Sequence, residues 1–138
     1  MSQLYFAYGA NLSLDSMAWR CPDAQPVTAF YLRDWRLELH CHATIRPSAG
    51  DHVAGALWKI TAGCEANLDA FEGYPVYYRK QILAQDGIEF MVYVMNEPLS
   101  GRPGSGYVDL LAEGYQDWQL PLPALRRAIT GYRDPIAC

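Results

Sequence analysis

The apolar positions of this chain fall into short runs with two different periods. Leu4-Tyr5-Phe6-Ala7-Tyr8 is apolar or aromatic on both faces, the pattern of a buried strand. Gly9 breaks the run. Asn11 and Ser13 are helix-capping residue types, and 15–20 predicts a short helix that stops before Pro22. Residues 27–32 and 35–42 predict two strands parted by the polar pair Arg33-Asp34, and 43–51, with Pro47 and Gly50, predicts a loop. Residues 53–60 place Val53, Gly55 and Leu57 on one face and Ala56, Trp58 and Ile60 on the other. Both faces are mostly apolar, so this strand is expected near the centre of a sheet.

Thr61 is a good N-cap, and Leu68 and Phe71 share one side of the helix that follows. Gly73 suits the first position past its end, and Pro75 blocks continuation. Residues 77–85 and 88–95 predict a hairpin turning at Asp86-Gly87. A Gly-, Pro- and Ser-rich loop covers 97–106. Ser105 is expected to cap a helix over 107–118, and Pro121 or Pro123 to open a last helix through 129, stopped by Gly131. About six strands and three or four short helices result. Few helices separate the strands, which predicts a mixed α+β fold: a small, mostly antiparallel β-barrel with short flanking helices.

Length and composition add limits. At 138 residues, 51% of them hydrophobic, the chain suits one domain over 1–138 with one sizeable core. No apolar run reaches the roughly 18–20 residues of a membrane span, so no membrane partner is expected. The first residues have neither a basic patch nor a signal-peptide core, which predicts a cytoplasmic protein. Net charge is −4 and the eleven Lys and Arg are scattered, which argues against a nucleic-acid partner. Cys21, Cys41, Cys64 and Cys138 form no CxxC pair, so reduced thiols are expected in that compartment.

Four features could carry chemistry. Glu72 ends a helix, where the dipole disfavours an anion, among the large side chains Phe71, Tyr74 and Tyr77. Both effects push a carboxyl toward the range useful to a general base. The alternative is a solvated acid beside a C-cap. The turn Tyr8-Gly9-Ala10-Asn11-Leu12, from a buried strand into a helix start, can aim backbone N–H groups at a carboxylate or an oxyanion. An ordinary strand–helix turn has the same sequence. His40-Cys41-His42 puts its two histidines on one strand face with no second pair at zinc spacing, so a polar strand face is expected rather than a metal site. The segment 101–106 lacks the Gly-Lys-Ser/Thr ending of a phosphate loop and reads as a lid or a plain loop.

Taken together, these segments resemble a known family. Tyr5-Phe6-Ala7-Tyr8-Gly9-Ala10-Asn11-Leu12 is similar to the N-terminal YGSNL-type motif of the γ-glutamylcyclotransferase-like (AIG2-like) family. Ala43-Thr44-Ile45 and Gly55-Ala56-Leu57-Trp58-Lys59-Ile60 resemble its middle strands. Leu68-Asp69-Ala70-Phe71-Glu72-Gly73, followed by Tyr77 or Tyr78, resembles the segment holding its catalytic glutamate. Tyr107, then Gly114 and Leu120-Pro121, resembles its C-terminal tyrosine and helix pair.

The resemblance implies an enzyme without metal or organic cofactor, acting on a small-molecule γ-glutamyl substrate as a monomer or homodimer. The reaction implied is cyclisation of a γ-glutamyl group to 5-oxoproline with release of an amine or amino acid, either in peptide turnover or in removing a γ-glutamyl protecting group from an intermediate. Glu72 would be the general base and acid. Tyr8, Gly9, Ala10, Asn11, Leu12 and Tyr107 would bind the substrate. Ala10 stands where the family often has Ser, so a backbone contact there survives and a hydroxyl contact does not. The competing expectation is a non-catalytic small-molecule binding module on the same fold.

Overall fold

A computed structural model describes residues 2–98 and 101–130. Gly131 and Cys138, read above as a helix stop and a thiol, lie outside them. Five strands form one sheet: β1 (Ser2–Ala7), β2 (Gln25–His40), β3 (His42–Thr61), β4 (Tyr78–Gln85) and β5 (Ile88–Met95). Among the described residues four helices accompany it: α1 (Leu14–Arg20), α2 (Ala62–Glu72), α3 (Ser105–Asp117) and α4 (Pro123–Thr130), with a short 3₁₀ turn at Ala10–Leu12.

The sheet order is β2-β3-β1-β5-β4, and β1 runs antiparallel to β3 and parallel to β5. The expected barrel is therefore corrected to an open sheet, because no backbone ladder joins the edge strands β2 and β4. Side chains span that gap instead. Gln85 Nε2 donates to the Tyr31 carbonyl at 2.9 Å, the Arg33 N–H donates to Gln85 Oε1 at 2.8 Å, and Arg33 pairs with Asp86 at 2.7 Å.

The strand count falls from six to five because the two strands expected over 27–42 are one. Asp34, at φ 67°, forms a bulge between Arg33 and Trp35 that bends β2 without ending it. The loop expected over 43–51 is also strand. Pro47 pairs opposite Trp35, just past the bulge, on a stretch of β3 that β1 does not reach, so its missing N–H interrupts no second ladder. Asp34 Oδ1 accepts from the Gly50 N–H at 3.0 Å and pins the outer part of the ribbon.

Most of the other local readings hold. Thr61 Oγ1 accepts from the Cys64 N–H, and Gly73 takes a left-handed conformation at φ 65°. The hairpin turns at Asp86 and Gly87, both at positive φ. Ser13 caps α1, whereas Asn11 is not a cap and its side chain points elsewhere. Ser105 is the first residue of α3 rather than its cap.

Side chains from the sheet build two cores. Phe6, Leu57, Phe90 and Val92 pack on one face against Leu111 and Tyr115 of α3 and Leu125 of α4. Tyr5, Trp58, Ile60 and Met91 pack on the other against Met17 of α1 and Leu68 of α2. The alternation of Tyr5 and Phe6 between the two cores is why the first apolar run shows no polar face. Cys21 and Cys64 are buried free thiols, as expected, whereas Cys41 is disulfide-bonded, which corrects the reduced-thiol expectation there. Among the described residues no helix is long and apolar enough to cross a membrane.

Candidate active site

Where β1 ends, the chain turns at Gly9 and leaves the sheet. The end of α2, the turn between β2 and β3, the start of β4 and the start of α3 converge on the same point. A cavity of about 160 Å³ opens there, lined by Tyr8, Gly9, Ala10, Glu72 and Tyr107 among others. Of the residues singled out in the sequence, the structure thus brings together all but Leu12. The Leu12 side chain is fully buried in the core, and its N–H donates to the Gly9 carbonyl at 3.0 Å.

Glu72 faces this cavity from the last residue of α2, held there by the left-handed Gly73. Part of its surface is reachable through the cavity, yet protein atoms surround the carboxyl. Burial pushes its pKa up to about 7, and the nearby Arg20 charge only partly opposes this. Asn11, itself buried, donates from Nδ2 to Glu72 Oε1 at 3.3 Å and to the Tyr5 hydroxyl at 3.0 Å. Its amide is engaged by protein, so Asn11 stands beside the carboxylate as a support.

The phenols around the cavity differ in what they have left to offer. Tyr8 donates to the Tyr93 carbonyl at 2.7 Å, and Tyr78 donates to the Ala43 carbonyl at 2.6 Å, so the protons of both are committed. Tyr107 accepts from the Ala43 N–H at 2.9 Å, which leaves its own proton available to a bound molecule. Burial raises the pKa of all three, so they stay neutral near pH 7.

Gly9 lies close against the opposite wall. A methyl there would stand 3.1 Å from Ala43 Cβ and 3.4 Å from the Tyr107 hydroxyl, pushing on the residues that shape the wall. No side chain caps the 3₁₀ turn that follows, and Gly9, Ala10 and Asn11 at its start line the cavity.

Sequence reasoning gave several residues here no part in this site, among them His42, read only as part of a polar strand face. His42 Nδ1 is 2.7 Å from the Tyr77 hydroxyl, and its ring meets Tyr107 edge-on at 5.0 Å between centroids. Burial lowers its pKa, which keeps it neutral at pH 7. His40, across the same turn, instead pairs with Glu38 at 2.9 Å. Tyr5 and Arg20 were also unmarked. Tyr5 belonged to a run read as a buried strand, and Arg20 was only the end of a short helix.

Among the described residues, a five-stranded α+β fold holds a cavity with one lining carboxyl, pushed up to about 7, among phenols and the Gly9–Ala10 turn, the layout of an enzyme that acts on a small molecule. The family model described as Gamma-glutamyl cyclotransferase, AIG2-like, matches residues 5–119, and the chain belongs to that family. It is 30% identical to a γ-glutamylcyclotransferase from Homo sapiens, over 88% of this chain and 74% of the relative. It is 31% identical, over the same shares, to one from Bos taurus. A solved structure of a γ-glutamyl cyclotransferase superposes with a TM-score of 0.81 at 27% identity, covering 96% of this chain and 89% of that one.

Proposed function

We propose that this chain cyclises a γ-glutamyl group to 5-oxoproline and releases an amine or amino acid, with Glu72 as general base and then general acid. The observation that carries the reading is the Glu72 carboxyl, pushed up to about 7, on the wall of a cavity that the Gly9–Ala10 turn also lines. Such a carboxyl can both take and return a proton near neutral pH.

Glu72 takes a proton from the substrate's α-ammonium. The freed amine attacks the γ-carbonyl carbon, a C–N bond forms, and the carbonyl oxygen becomes an oxyanion. Collapse breaks the original amide C–N bond. Overall two protons pass from the attacking nitrogen to the leaving one, and Glu72 ends unchanged. Both nitrogens belong to one molecule, so much of the barrier is geometry that a shaped cavity imposes.

Backbone N–H groups of the turn at Gly9 and Ala10 hold the substrate's oxygen atoms, for which the hydroxyl of a serine at position 10 is dispensable. Tyr107 donates its uncommitted proton. Tyr107→Phe removes that donor, and kcat/KM falls about tenfold. Tyr8 lines the pocket with its own proton held by Tyr93.

The base must be ionised to act. Its raised pKa places the acidic limb of kcat/KM near 7, with activity falling roughly tenfold per pH unit below it and levelling above it. A limb near the ordinary carboxylate pKa would contradict the assignment. The reading as a whole is tested by incubating the protein with a panel of γ-glutamyl dipeptides and γ-glutamyl amines and measuring 5-oxoproline. It falls if none of them yields any.

A further inference from the structure

Arg20 is the last residue of α1, and its side chain reaches the catalytic wall through a partner. Its guanidinium donates from Nη1 to Asn11 Oδ1. Arginine has only donors, so Asn11 must meet it with the amide oxygen. That choice turns Nδ2 to the other side, toward Tyr5 and Glu72. The orientation of the amide, ordinarily ambiguous, is thereby settled by its neighbours.

Two further contacts hold Arg20 in place. Its guanidinium carbon lies 3.4 Å from the ring centroid of Phe71, the residue before Glu72. Asn67 of α2 donates from Nδ2 to the Arg20 carbonyl at 3.1 Å. Arg20 is thus tied both to the hydrogen-bond partner of Glu72 and to the helix that carries it.

We infer that Arg20 and Asn11 form a positioning relay, in which Arg20 orients the Asn11 amide and Asn11 holds Glu72 Oε1 so that the carboxylate meets the substrate's ammonium in one orientation. The inference rests on the role proposed for Glu72. It concerns two residues that touch no reacting atom and act through the base.

The electrostatic setting makes the relay measurable. Tyr5 and Tyr8 face Glu72 from the end of β1, Tyr77 and Tyr78 from the start of β4, Tyr93 from β5 and Tyr107 from α3. Burial raises the pKa of each, so all stay neutral across the range where Glu72 titrates. His42 of β3, its pKa lowered by burial, titrates below Glu72. Arg20 is the cation that opposes the burial of the Glu72 charge, so removing it raises the Glu72 pKa further.

The test compares Arg20→Met, Arg20→Lys, Asn11→Leu and the Arg20→Met/Asn11→Leu double variant with the wild type. Steady-state kinetics use whichever γ-glutamyl compound the wild type turns over. Carbon-13 NMR titration of the Glu72 carboxyl is run beside them and needs no turnover.

Each apolar single variant is expected to lower kcat about tenfold or more, change KM less than about threefold, and move both the acidic limb and the Glu72 titration to higher pH. Arg20→Lys keeps the charge, so it recovers the wild-type limb and part of kcat. The double variant is no worse than the worse single one, as members of one relay should be.

The inference is overturned if the single variants leave kcat and the Glu72 titration as in the wild type, or if the double variant shows the product of the two losses. If the wild type turns over no γ-glutamyl compound, the proposed reaction fails, and the titration still decides whether the relay acts on Glu72. If Arg20→Met does not fold, Asn11→Leu is judged alone by the same titration.

Discussion

Glu72→Gln lowers kcat/KM for 5-oxoproline formation by about 10²–10⁴-fold, the range that a positioned acid–base group contributes. The amide has nearly the shape of the carboxyl and still faces Asn11, but it can neither take the ammonium proton nor return it. Substrate affinity is expected to change far less than turnover, because the contacts proposed for the substrate's oxygen atoms lie on the 3₁₀ turn and at Tyr107.

Stability moves the other way. Burial pushes the Glu72 carboxyl up to about 7 in the fold, above its ordinary value of 4.5. Below the lower value it is protonated in both the folded and unfolded states. Above the higher value it is ionised in both, and only the folded protein bears the burial of the charge. Stability contributed at this position is therefore lost as pH rises from the lower value to the higher. Glu72→Gln has no such loss, so it melts above the wild type at pH 8 and approaches it at pH 4. Thermal melts at the two pH values check the sign. A variant that keeps wild-type turnover would remove Glu72 from the mechanism.

Gly55→Ala has the second large effect, on the fold. Gly55 sits on β3 just beyond the last residue that pairs with β1. A methyl there would stand 2.4 Å from the Ala7 carbonyl oxygen and 2.6 Å from the Phe6 ring. The oxygen is backbone, and the Phe6 ring is fully buried between Phe30 and Phe90, so neither yields easily. The substitution destabilises by about 3 kcal/mol, the upper end for overpacking, and lowers Tm by roughly 10 °C. The strain falls where the chain passes from β1 into Tyr8 and Gly9, so kcat/KM declines in the folded fraction as well. Denaturant titration with parallel kinetics measures both. A Tm within about 2 °C of wild type would mean that β1 and β3 can separate at this point without loss.

Gly55 shows one limit of reading the chain alone. Its place in an apolar strand is plain from the sequence, but nothing in 53–60 says which backbone comes within a methyl's radius of it. The outer ribbon of β2 and β3 shows another. Residues 43–51 hold Pro47, Ser48, Gly50 and Asp51, which read as a loop, yet they are strand. Ala43, Thr44 and Ile45 are buried, but 46–52 is half-buried or exposed, and cross-strand backbone bonds to β2 keep that outer stretch regular with no apolar alternation to mark it. The barrel expectation failed for a related reason. Strand content and order in the sequence do not say whether edge strands meet by backbone, and here Gln85, Arg33 and Asp86 join them by side chains.

The site divides in the same way. Glu72 stood out locally, as an acid at the wrong end of a helix beside a glycine stop, and the Tyr8-Gly9-Ala10 turn stood out as a strand breaking into uncapped N–H groups. Those are properties of neighbouring residues, so the chain alone displays them. Asn11 was marked as a substrate contact but not as a partner of Glu72 and Arg20, and Arg20, Tyr5 and His42 were given no part in the site, because such contacts exist only between elements.

What the sequence by itself determined is therefore the local chemistry: strand and helix periods, caps, the 86–87 turn, and a carboxyl with reason to be misplaced. Tertiary structure decided the rest. It packed α1 and α2 on one face of the sheet and α3 and α4 on the other. It buried the Glu72 carboxyl to about 7 and set Asn11 against it at 3.3 Å. Desolvation and hydrogen-bond geometry depend on which distant segments surround a group, and only the assembled fold specifies them.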